Sequence, residues 1–167
     1  MSSDAIVLLK DDHKEIKRVF KEFQKAEKAD DTAGKKRAVD RILELLTVHT
    51  YIENEVMYPE TRTLVPDLED DVLESYEEHH VADVLCMELS TMGPEDERFD
   101  AKTTVLIENV LHHIEEEEEE WFPQVREALS RAQLREIGER MIEAREKAPR
   151  KPSQPTALKK ALDALTA

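Results

Sequence analysis

A chain of 167 residues with 39 acidic and 24 basic side chains carries a net charge of −15; it is long enough for one well-cored domain and too short for two. That charge argues against binding nucleic-acid phosphates or an anionic membrane surface, and the lack of an apolar run of ~18 residues argues against a membrane span. With 3 Gly, 5% aromatics and a single cysteine, Cys86, the composition points to an all-α protein without an intramolecular disulfide or a CxxC metal site.

Met1-Ser2-Ser3-Asp4 has no basic segment leading into an apolar one, so the chain reads as cytoplasmic, without a signal peptide. Ile6, Leu9, His13, Ile16, Phe20 and Phe23 recur at steps of three and four and predict a first helix, capped by Ser2 or Ser3. Residues 30–34 break the pattern. A second stripe, Ile42, Leu45, Leu46, His49, Ile52, Glu53 and Val56, is expected to end at Pro59. Pro66-Asp67 opens a third helix with Val72, Leu73, Tyr76, His79, Ala82, Cys86 and Leu89 inward, closed by Thr91-Met92-Gly93-Pro94. The fourth carries Leu106, Val110, His113, Glu117 and Trp121 and stops or kinks at Pro123. Ser130 and Gln133 have capping-box spacing and start a short fifth helix running to about Lys147.

Four amphipathic helices with short connections predict an up-down-up-down four-helix bundle over residues 1–148. Residues 149–167 form a basic, proline-rich tail with four Lys/Arg against one Asp. The tail is expected either to be disordered or to place a short helix, residues 157–164, against the acidic remainder.

The chain also repeats itself at a period of 64–66 residues. His49 is followed by Glu53 and by Tyr58-Pro59; His113 is followed by Glu117 and by Phe122-Pro123. Upstream, Asp12-His13 corresponds to Glu78-His79. Residues four apart on a helix differ by about 40° in azimuth, so each His–Glu pair projects from one face toward the interior. Two buried carboxylates among imidazoles make physical sense around cations. Imidazole and carboxylate without thiolate suit iron, manganese or zinc, and two pairs with two further inward histidines suit two metals.

This run, from Asp12-His13 through His49-x3-Glu53, Glu78-His79 and His113-x3-Glu117 to Phe122-Pro123, resembles the hemerythrin-like, HHE cation-binding domain. The resemblance implies a non-haem di-iron site with two oxo- or hydroxo-bridged iron ions per chain. His13 and His49 would hold one ion, His79 and His113 the other, with Glu53 and Glu117 bridging. It further implies reaction with, or binding of, O2, hydrogen peroxide or nitric oxide. Where hemerythrins carry His-x3-His on the third helix, this chain has His79 followed by Asp83; Asp83 is the candidate to close one of the freed positions, and if it does not, both irons can take exogenous ligands, which favours peroxide or nitric-oxide chemistry over oxygen carriage.

Around these residues, Tyr76 lies one turn before His79 and is read as core or as a hydrogen-bond donor to a bound oxygen species. His80 and His112 are expected outside the site. Glu115, Glu118 and Glu119 read as a solvated face, while Glu116 and Glu120 flank the inward stripe and Glu120 is placed to reach the site or a channel mouth; Cys86 reads as a small buried hydrophobe. Alternative readings are an iron- or oxygen-sensing module with an unidentified protein partner, iron storage or transfer, and a zinc-filled structural bundle. Catalysis of a catalase or peroxidase type is left open.

Overall fold

The computed structural model describes residues 3–152, which contain helices and no strand. The first helix, α1 (Ala5–Lys28), starts at Asp4, whose carboxylate accepts the N–H of Val7 at 3.1 Å. The cap is Asp4 rather than Ser2 or Ser3, because its carboxylate complements the helix N-terminus and is held by Arg126 at 3.0 and 3.1 Å. The break after α1 is shorter than residues 30–34: Asp30 adopts a positive φ of 50° and Asp31 already caps α2 (Thr32–Ile52).

Pro59 does not end the second helix. α2 continues through a π-helical turn, Glu53–Met57, into α3 (Tyr58–Leu64). The wider turn, closed by Tyr58 N–H donating to Glu53 O, accommodates the proline ring and its missing N–H. The same device recurs sixty-odd residues later. After a 3₁₀ turn (Pro66–Leu68), α4 (Glu69–Leu89) leads to α5 (Phe99–Glu116), which runs through a second π turn, Glu117–Trp121, into α6 (Phe122–Ala128). The last helix, α7 (Arg131–Lys147), begins with both hydrogen bonds of the Ser130–Gln133 capping box. Most of the proline-rich tail, including residues 157–164, lies outside the described residues.

Helix α1 lies along α2 and α4 along α5, and the pairs meet where α1 touches α5 and α2 touches α4. Buried apolar side chains form two clusters. One is built on Ile16, Phe20, Phe23, Ile42, Leu89, Phe99 and Leu106, the other on Ile6, Leu9, Ile52, Met57, Val72, Phe122 and Ile137. Each fully buried Leu, Ile or Phe contributes roughly 1.5–3 kcal/mol, which offsets the cost of the polar layer held between the clusters. Leu73, expected inward, is 45% exposed; α4 instead buries Val72, Ser75, His79, Ala82, Cys86 and Leu89. Helix α7 closes the second cluster and crosses the start of α1 at Gly138, where a Cβ would stand 1.7 Å from the Ser3 carbonyl oxygen. No helix among the described residues is long and apolar enough to cross a membrane.

Candidate metal centre

Each of α1, α2, α4 and α5 contributes one buried histidine to a single layer: His13, His49, His79 and His113. Glu53 and Glu117, the first residues of the two π turns, complete it and are 0% and 1% exposed. The structure brings these six residues into two groups of ligand atoms, each lying within 4.8 Å of one another. The first comprises His13, His49, Glu53 and Glu117; the second comprises Glu53, His79 and His113. Glu53 belongs to both. Its Oε2 is 3.4 Å from His49 Nε2 and 3.1 Å from His79 Nε2. Glu117 spans them differently, with Oε2 3.3 Å from His13 Nε2 and Oε1 3.4 Å from His113 Nε2.

All four rings are turned the same way because each Nδ1 has an oxygen acceptor behind it. His13 donates to Glu118 Oε1 at 2.8 Å, His49 to Asp12 Oδ2 at 3.1 Å, His79 to Asn54 Oδ1 at 2.9 Å and His113 to Glu78 Oε1 at 3.1 Å. Such partners fix the tautomer and aim each Nε2 lone pair inward. Asp12 is in turn bound by Arg145 of α7 at 2.8 Å and Glu118 by Lys17 at 3.4 Å. Glu118 is therefore not merely a solvated acid: half-turned inward, it carries the support of His13.

The layer is electrostatically incomplete. His79 Nε2 and His113 Nε2 stand 3.0 Å apart. His13 Nε2, His49 Nε2, Glu53 Oε1 and Glu117 Oε2 are buried without a hydrogen-bond partner. Acceptors facing acceptors in a dry interior are costly unless protons or cations lie between them. Protons partly serve: burial and the Glu117 charge hold the Glu53 carboxyl up at about 7. Burial opposes the charge on His113, but Glu117 and Glu78 outweigh it and raise the imidazole to about 9. Burial and the neighbouring His113 push His79 the other way, toward the neutral form that binds metal.

A seventh side chain enters the layer. Tyr58 is fully buried, and its hydroxyl donates to Glu117 Oε1 at 2.8 Å while standing 3.1 Å from His79 Nε2 and 3.4 Å from both His113 Nε2 and Glu53 Oε2. Sequence reasoning missed it because five residues along an α-helix rotate a side chain about 140° away from Glu53. The π turn undoes that rotation. The signal available was the aromatic–proline pair that follows each His–Glu pair, with proline forcing an irregular turn. Tyr76 is half-buried, and its ring packs edge-on against Tyr58, centroids 5.3 Å apart. It supplies no atom to either ligand group.

Asp83 is half-buried one turn beyond His79 and contributes to neither group. Its charge acts on buried Cys86, whose thiol is pushed up mainly by burial. His80 stands outside the layer, and His112 is exposed and pairs with Glu116 at 3.0 Å. Trp121 packs edge-on against Tyr58, with centroids 5.5 Å apart. Glu120 is exposed and borders a cavity of about 70 Å3 whose inner wall is His113, Glu117 and Trp121.

Residues 4–125 match the family model of the hemerythrin HHE cation-binding domain. A DNA nickase from Nostoc sp. is 28% identical over 122 residues, which are 73% of this chain and 33% of that protein. The chain thus spans about a third of the length of that relative. An HHE cation-binding domain-containing protein from Mycobacterium kansasii, solved by crystallography, is 21% identical with a TM-score of 0.71, each chain being covered to 86%. That likeness is one of fold.

Proposed function

The chain belongs to the hemerythrin HHE cation-binding family, and on that premise we propose that it is a non-haem di-iron protein that reacts with hydrogen peroxide or nitric oxide in preference to carrying O2. The observation that supports this reading is the pair of ligand groups sharing Glu53, with all four Nε2 atoms turned inward. The buried unpartnered nitrogens and oxygens of that layer fit two cations. Ligands of imidazole and carboxylate, without thiolate, suit iron better than a closed structural zinc site. The α1, α2–α3, α4 and α5–α6 rods are read as an up-down-up-down bundle with α7 as its fifth helix, in a cytoplasmic protein.

In this reading His13 and His49 would hold one ion and His79 and His113 the other, with Glu53 and Glu117 serving both. Two iron ions would supply one-electron redox steps and positions for a small ligand. The protein's own contribution is positional and protic. Asp12, Asn54, Glu78 and Glu118 keep the imidazoles oriented, and the two apolar clusters exclude bulk water. Tyr58 Oη, 3.1 Å from His79 Nε2 and 3.4 Å from His113 Nε2, would be placed to give a phenol oxygen or a proton on that side of the centre. A proton source at that point favours turnover of peroxide over reversible carriage.

DNA cleavage, the activity named for the Nostoc relative, is not carried over, because the net charge of −15 repels a polyanion. The test is metal analysis and visible absorption of the purified protein, followed by peroxide and nitric-oxide decay and O2 binding. Iron, colour and decay of added peroxide or nitric oxide are expected. A colourless zinc protein, or lasting reversible O2 binding with neither peroxide nor nitric-oxide turnover, overturns the reading.

A further inference from the structure

Two cavities approach the buried ligands from outside. The first, between α2, α4 and α5, is about 10 Å3 and walled by Leu46, Ala82, Val110 and Ile114. It is too small and too apolar for a hydrated ion. The second, of about 70 Å3, opens between α4 and the second π turn. Its inner wall is His113, Glu117 and Trp121; its outer wall is Asp71, Glu74, Glu78, Glu116 and Glu120, with neither Lys nor Arg among the described lining residues.

Glu78 and Glu116 of the outer wall and the exposed His112 bring one ligand atom each within 4.8 Å of one another, and His112 Nε2 lies 3.0 Å from Glu116 Oε1. Glu78 also holds the buried ligand His113 through Nδ1 at 3.1 Å, so the outer group adjoins the inner one through a single carboxylate.

A second observation points to an occupant. Trp121 is 4% exposed, lines this cavity, and its indole N–H has no hydrogen-bond partner. A buried donor left unpaired in the wall of an acid-lined cavity matches a cation that still carries water, since that water accepts from the indole while the carboxylates meet the ion.

We propose that Glu78, His112 and Glu116, with Glu120 beside them, form an outer docking site for a hydrated divalent cation, ferrous iron in the cell, through which the buried centre is loaded. This rests on the metal-binding reading above. Convergent carboxylates raise the local cation concentration and speed capture by ten- to a thousandfold at low ionic strength. The imidazole of His112 and the carboxylates replace part of the hydration shell before the ion meets Glu117 and His113.

The test uses metal-free full-length protein mixed with ferrous iron under anaerobic conditions. Trp121 is the sole tryptophan, so quenching of its fluorescence reports arrival at the cavity, and metal analysis reports the endpoint. The variant His112→Ala/Glu116→Gln/Glu120→Gln should load at least tenfold more slowly and with weaker salt dependence, yet reach the wild-type iron content. Glu95→Gln/Glu97→Gln removes two exposed charges in the α4–α5 connection and should load at the wild-type rate. Equal rates in the triple variant and wild type overturn the docking site while leaving the metal centre standing, as does equal slowing in both variants. Wild type that takes up no iron overturns both.

Discussion

Tyr58 and Phe122 stand at corresponding places, each five residues after a buried glutamate of the histidine layer and each donating its backbone N–H to that glutamate's carbonyl across a π turn. Each ring reaches a histidine of the other half of the chain. Tyr58 Oη is 3.1 Å from His79 Nε2, and Phe122 stacks on His13 with centroids 5.7 Å apart and planes 11° from parallel. The Tyr58 hydroxyl is thus one of the differences between the two halves of the repeated layer, beside the Asn54 amide behind His79 where the Glu118 carboxylate stands behind His13.

Tyr58→Phe removes the hydroxyl and leaves a ring like that of Phe122. It should keep both metals, change the visible absorption and slow peroxide decay at least tenfold, whereas Tyr76→Phe should change either by less than twofold. In the metal-free protein the same substitution deprives buried Glu117 of a donor, a loss of about 1–3 kcal/mol in a urea melt. Identical spectra and rates for Tyr58→Phe and wild type would show that the hydroxyl turns away from the loaded centre.

Metal content tests the sharing of carboxylates. Two ions per chain are expected, and Glu53→Ala or Glu117→Ala should lose most of both, since each carboxylate faces histidines of both groups. One metal per chain in wild type, or full iron in both variants, contradicts a two-metal layer.

Adjacent histidines on α4 provide an internal control. His79 is 3% exposed and lies in the layer, whereas His80 lies about 100° around the helix. His79→Ala should lose iron and colour, and His80→Ala should keep both to within about a fifth. The reverse pattern would mean that α4 is rotated.

Acid stability should depend on Asp12. Burial opposes its charge, but hydrogen bonds and charge from His49 and Arg145 outweigh it and hold the carboxyl at about 2, below its ordinary 3.8. A carboxyl depressed in the folded state contributes stability above about pH 4, and that contribution fades as pH falls through 2. The contribution is roughly 2 kcal/mol. In metal-free protein, Asp12→Asn should be less stable than wild type by that order at pH 7, with the gap closing below pH 3. A gap that does not vary with pH would assign the loss to packing alone.

Much of this centre was legible in the sequence because helix geometry is local. His49 and Glu53, like His113 and Glu117, share a face whatever surrounds them, and the 64–66 residue repeat marked His13 and His79 as their partners. Capping at Ser130 was local as well. What the sequence could not decide depends on departures from the ideal helix or on distant segments. The π turns carried the chain past Pro59 and Pro123 and brought Tyr58 into the layer, which α-helical counting forbids. The hydrogen bonds behind the imidazoles join residues 25 to 105 positions apart, so Asn54 and Glu118 had no signature before folding. Arg145 reaches Asp12 across 133 positions. Such contacts are set by how helices pack, and packing is a property of the whole chain.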